Sequence, residues 1–172
     1  DIALVIIGRT AGEDQDSKNE PGSYLLTEDE ENMIEKVTKT FKRTVIILNV
    51  GNIIDMKWVE KYNPSSVLYV WQGGQEGGNG VVDVLTGRVN PCGKLTDTIA
   101  KDISDYTSTK NFGDEYKNIY EEDIYVGYRY YDKKNVRPAY PFGFGLSYTS
   151  FELTDLILDT DIFENMLHGH VT

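Results

Sequence analysis

The nine residues Gly8-Arg9-Thr10-Ala11-Gly12-Glu13-Asp14-Gln15-Asp16 gather an arginine, two glycines and three carboxyl side chains into one short stretch. They follow Ile2-Ala3-Leu4-Val5-Ile6-Ile7, a continuous apolar run rich in β-branched residues. Such a run reads as a strand buried on both faces of a parallel sheet. In open α/β sheets ligands bind beyond the carboxyl ends of the strands, so an acidic loop leaving such a strand is placed to meet one. Glycine and aspartate are also ordinary turn formers, and the loop taken alone reads first as a polar surface turn.

Composition narrows the other chemistries. His168 and His170 are the only histidines, both near the end of the chain, which argues against a zinc site or a Ser-His-Asp triad in the main body. Cys92 is the only cysteine, so no disulfide can form within the chain. That fits a reducing compartment, and a cytoplasmic rather than secreted location is expected. A net charge of -11 argues against a nucleic-acid backbone or an anionic membrane as partner, whereas a neutral sugar would not be repelled. No apolar run is long enough to span a bilayer. With 172 residues, 40% apolar and 26% charged, the chain can bury one proper core.

The elements that must position the loop follow in order. Glu20-Pro21-Gly22-Ser23 is turn chemistry. Thr27 then opens a helix, with Glu30 three residues on to complete a capping box. Met33, Ile34, Val37 and Phe41 keep one apolar stripe at helical spacing. Thr44 to Val50 reads as a second buried strand stopped by Gly51, and a short helix from Met56 to Tyr62 ends at Asn63-Pro64. Ser66 to Trp71 is the third strand, running into Gln72-Gly73-Gly74-Gln75-Glu76-Gly77-Gly78 and a helix marked by Val81, Val82 and Leu85. Strand and helix alternate with short connections, the pattern of βαβ units. The fold expected is α/β: a three-layer sandwich with a mostly parallel sheet and helices on both faces.

Tyr106 to Tyr148 reads as a long loop crowded with tyrosines, among them Tyr116, Tyr120, Tyr125, Tyr128, Tyr130, Tyr131 and Tyr140. A loop of that length is usually functional or packed against something else, and tyrosine joins a large apolar face to a polar tip. It either faces another domain or packs on its own. Phe151 to Leu158 alternates like a half-buried strand, and a domain boundary is placed near Thr149, dividing 1–150 from 151–172.

Five segments, in this order, resemble the C-terminal α/β-sandwich domain of family 3 glycoside hydrolases of the β-glucosidase type. The first two are Gly8-Arg9-Thr10-Ala11-Gly12-Glu13-Asp14 and Val70-Trp71-Gln72-Gly73-Gly74-Gln75-Glu76-Gly77. The third is Gly87-Arg88-Val89-Asn90-Pro91-Cys92-Gly93-Lys94-Leu95, and the fourth runs from Tyr120-Glu121-Glu122 to Tyr130-Tyr131-Asp132. The fifth is Tyr140-Pro141-Phe142-Gly143-Phe144-Gly145-Leu146-Ser147-Tyr148-Thr149.

The resemblance implies retaining hydrolysis of terminal β-D-glucosyl residues by two carboxyl groups. The nucleophilic aspartate belongs to a separate (β/α)8 barrel and is absent from this chain. The general acid/base is a glutamate on a loop of the sandwich, and Glu13 matches it. One group must protonate the leaving oxygen and later activate water, while the other attacks the anomeric carbon from about 5 Å away. Arg9, Asp14, Asp16, Gln72 and Glu76 are expected to line the pocket. Asp14 and Asp16 either keep the acid protonated by their charge or cap the turn. The partners implied are a β-glucoside or oligosaccharide and the enzyme's own barrel, and neither cofactor nor metal is called for.

Ser17 stands where many members carry an arginine. The family's domain has a further strand and helix before the position of Asp1, so preceding sequence is expected. Residues 151 to 158 resemble the start of a fibronectin-type domain. The segments look most like members with the sandwich first and the barrel last. A second reading keeps the fold but makes it a carbohydrate-binding or interaction module without chemistry. In that case the loop from Gln72 to Gly78 could hold an anion at a helix N-terminus, although it lacks a phosphate-fingerprint spacing and contains Glu76. A flavodoxin-like cofactor domain is the third.

Overall fold

A computed structural model of the chain describes residues 1–10, 16–159 and 169–170. Three parallel strands form its sheet: β1 (Ile2–Gly8), β2 (Arg43–Asn49) and β3 (Ser66–Tyr69), in that spatial order. Each crossover carries a helix, α1 (Glu28–Thr40) between β1 and β2 and α2 (Lys57–Tyr62) between β2 and β3. A third helix, α3 (Gly77–Leu85), follows β3. The α/β architecture around a parallel sheet is as expected.

Register explains where the core lies. Val5 pairs with Ile46 and Ile7 with Leu48, so these four side chains share one face. Against that face lie Ile34 of α1, Trp58 of α2, and Val50, Ile54 and Ile99 from connecting segments, all buried. The opposite face differs from the expectation of a β1 buried on both sides. Ile2, Leu4 and Ile6 are 56%, 55% and 64% exposed, because β1 is the edge strand among the described residues and the helix α1 packs on its other face. The apolar run is continuous, yet burial alternates along it.

The first helix begins as its sequence demands. The Thr27 hydroxyl accepts from the Glu30 amide, and the Glu30 carboxylate accepts from the Thr27 amide at 2.8 Å. Four acidic residues fill its first turn, where the helix dipole favours negative charge. Of the four stripe residues only Ile34 is fully buried. Val37 packs at the core's margin, while Met33 and Phe41 are each 38% exposed, because the stripe is wider than the contact.

Two differences lie further along. The tyrosine-rich stretch is not a plain loop: a short 3-10 turn, Ile103–Asp105, leads into it, and it contains a second, Thr107–Lys110, and a helix, α4 (Tyr128–Lys134). Aromatic residues are mediocre helix formers and seven residues show little periodicity, so nothing local announced α4. Tertiary contact holds it instead, with Tyr131 only 4% exposed and edge-on to Tyr106 and Tyr130. Phe151 to Leu158 does not form a half-buried strand. Only Ile157–Leu158 (β4) is extended, paired antiparallel with Gly169–His170 (β5), and it is exposed.

The excursion is pinned at both ends. Ile99 and Tyr140 exchange backbone hydrogen bonds, as do Leu95 with Phe144 and Gly143. The Asn90 side chain binds Ser147 and the Tyr148 amide, and Lys94 Nζ donates to the Gly145 carbonyl. At Gly145 any side chain would collide with the Gly93 backbone. The third and fifth motif segments, distant in sequence, are therefore packing partners.

Candidate active site

Beyond the carboxyl end of β1 lies an open cleft. Gly8, Arg9 and Thr10 lead into it, Asp16 and Ser17 lead out, and Asn52 and Phe112 form part of its wall. Its position follows from topology, since a parallel sheet sends successive loops to one end. Among the expected site residues, Arg9 and Asp16 share this cleft. Glu13 and Asp14 lie outside the described residues. Gln72 sits beside it on the loop after β3, where Gly51 leaves room that a Cβ would take, 2.9 Å from the Gln72 Nε2. Glu76 stands at the start of α3 and accepts from Asn79 at 2.5 Å, apart from the residues of the cleft.

Arg9 is far more constrained than a pocket-lining arginine need be. Its Nε–H donates to the Ser23 carbonyl at 3.3 Å. Nη1 donates to the Gly8 carbonyl at 2.9 Å and to Glu30 Oε1 at 2.5 Å. Nη2 donates to the Leu25 carbonyl at 3.3 Å and to Glu30 Oε2 at 2.7 Å. Every guanidinium donor is engaged, and the Glu30 contact is the two-pronged geometry that suits arginine to carboxylates. The pair is largely withdrawn from water, with side chains 12% and 19% exposed. Burial pushes the Glu30 carboxyl up, but Arg9 and the Thr27 bonds outweigh it and hold it below the ordinary carboxylate value.

The return of the loop is also tied. The Lys18 amide donates to Ser23 Oγ at 2.9 Å, and Asn52 Nδ2 donates to Ser17 Oγ at 3.1 Å. Asn52 is set in turn by its own carbonyl, which accepts from the Tyr69 hydroxyl at 2.7 Å. Sequence reasoning missed Asn52 and Phe112, for a lone asparagine and a lone phenylalanine carry no pattern. It also missed the backbone of Trp71, whose φ of +55° is unusual for a bulky residue. Trp71 leans on Tyr69, ring centroids 4.4 Å apart, and turns the chain toward Gln72 at the sheet's carboxyl end. Strain of this kind gathers at ligand sites, and the dipeptide Trp71-Gln72 inside a motif was its only sequence trace.

In parallel α/β domains, a cleft where loops converge beyond the strand ends is the usual place for a ligand. The family model of the glycosyl hydrolase family 3 C-terminal domain matches residues 1–148, and the chain belongs to that family. It is 57% identical over 157 residues to a β-glucosidase of Ruminococcus albus, covering 90% of this chain and 16% of that protein. The β-glucosidase structure from Paenibacillus barengoltzii superposes with a TM-score of 0.86 at 50% identity, over 92% of this chain and 18% of that one. β-Glucosidase 3B of Thermotoga neapolitana, solved in complex with glucose, gives 0.84 at 44% identity, over 94% of this chain and 24% of that one. The chain thus spans about a sixth to a quarter of the length of these relatives.

Proposed function

We propose that this domain supplies the general acid/base of a retaining β-glucosidase, with Glu13 as that group. The carrying observation is the cleft at the carboxyl end of β1, bounded by both ends of the acidic loop, in a domain 44% identical to one of an enzyme solved with glucose. Glu13 protonates the departing glycosidic oxygen and then, as a carboxylate, draws a proton from water. The nucleophilic aspartate comes from a barrel outside this chain, and we assign the aromatic excursion as the surface that faces it. Phe112 of that excursion already reaches the cleft, and Tyr120, nearby in sequence, is 79% exposed and open for the barrel to cover. Tyrosine suits such a junction because it covers area at low entropic cost while keeping a polar tip.

Glu13→Gln in the complete enzyme tests the assignment. General acid/base help is worth about 10²–10⁴-fold, and a loss of that order is expected for cellobiose, whose leaving group needs a proton. Dinitrophenyl β-glucoside should lose far less kcat/KM, because its leaving group departs as an anion. Azide, which needs no deprotonation, should restore turnover and yield β-glucosyl azide. Equal losses without rescue would move the role to Asp14 or Asp16.

A further inference from the structure

We propose that Arg9 is a positioning residue, its guanidinium tying the take-off of the acid/base loop to the N-terminus of α1 and, through Ser23, to the loop's return. The proposal rests on the assignment of Glu13. The loop leaves at Arg9, whose amide continues the sheet ladder to the Asn49 carbonyl at 3.2 Å. It returns at Lys18, whose amide is held by Ser23 Oγ. Ser23 is the shared anchor: its hydroxyl accepts from the returning segment at the Lys18 amide and its carbonyl accepts from the Arg9 Nε–H. The rest of the fork ends on the Gly8 and Leu25 carbonyls and on Glu30, the residue that also closes the capping box. Take-off and helix start thus meet on the Arg9 side chain, and the return joins them through Ser23. With all five donors committed, Arg9 has none left for a sugar hydroxyl, so its service is geometric. Lysine could not replace it, since an ammonium lacks the planar fork.

A misplaced catalytic group can cost about 10²-fold even when the change is remote from the bond that breaks. Loosening the clamp should therefore mimic a weakened Glu13. The test uses the complete enzyme carrying Arg9→Met, Arg9→Lys, Glu30→Gln and Glu13→Gln, with kcat/KM measured on cellobiose and on dinitrophenyl β-glucoside. Arg9→Met should lower cellobiose hydrolysis by about 10- to 100-fold with dinitrophenyl glucoside little changed. Added to Glu13→Gln it should cost nothing further on cellobiose, because a missing group gains nothing from being well placed.

Glu30→Gln keeps a residue compatible with the capping box while removing the ion pair, and should give the same split at smaller size, even where Arg9→Met fails to fold. Equal losses on both substrates, full additivity with Glu13→Gln, or wild-type cellobiose activity in Arg9→Lys would overturn the clamp. Should Glu13→Gln itself fail to separate the two substrates, the acid/base assignment falls and the clamp with it. A clear split for Glu13→Gln with none for the Arg9 and Glu30 variants overturns the clamp alone.

Discussion

At Glu30 a single carboxylate receives the Arg9 fork and closes the capping box of α1, which ties the stability of this corner of the fold to its charge. Its folded-state affinity for protons is lowered, so its contribution to stability is fully present above the ordinary value near 4.5 and is lost as pH falls through the lower folded value. Glu30→Gln should cost about 2 kcal/mol at neutral pH, the scale of a hydrogen bond to a charged group. The gap in Tm between wild type and Glu30→Gln should then shrink steadily as the buffer is taken below pH 4.5. Melting curves at neutral and acid pH decide this. A gap that persists or widens in acid would show that the carboxylate's charge is not what stabilises the native state there.

At the level of elements, α1 is the part that both packs the core and anchors the loop. Thr27→Ala removes the side-chain half of the capping box and should cost about 1 kcal/mol. Ile34→Ala opens a cavity at a fully buried site and should cost about 2–5 kcal/mol. Met33→Ala, on the same apparent stripe but 38% exposed, should cost clearly less than Ile34→Ala. Urea denaturation of the three variants checks the order. A Met33 loss equal to that of Ile34 would mean that α1 packs with more of its stripe than the contacts show.

Taken whole, the chain spans 16% of its Ruminococcus relative, and on the proposed assignment it supplies the acid/base while the nucleophile comes from the rest of the enzyme. The isolated chain is accordingly expected to give no turnover of an aryl β-glucoside, since on that proposal the covalent step needs an aspartate from outside it. Measurable hydrolysis by the purified chain, free of contaminating enzyme, would relocate the nucleophile. The open face of β1 is a second property of the whole. With Ile2, Leu4 and Ile6 more than half exposed, the isolated chain should bind an apolar fluorescent dye. Replacing Leu4 and Ile6 by threonine keeps strand propensity and should reduce that binding, whereas unchanged fluorescence would place the apolar surface elsewhere.

Much of this was legible before any coordinates. β-Branched runs separated by helical stripes declared a parallel α/β sheet, and Thr27 with Glu30 announced a capping box that forms atom for atom. Such features are local: neighbours in sequence settle them through periodicity and short-range hydrogen bonds. The proposal for Glu13 rests on a motif resemblance alone, for that residue lies outside the described ones. The burial of β1 could not be read, because whether a second layer covers a strand depends on what packs there rather than on the strand's residues. α4 was hidden for the same kind of reason, its helix held by Tyr131 wedged beside Tyr106. The union of Arg9, Ser23 and Glu30 was equally invisible, for residues 14 and 21 positions apart meet only once β1 and α1 have packed. Sequence order supplies propensity, but contacts between distant residues exist only after the chain has closed on itself, and there the loop acquires its anchor.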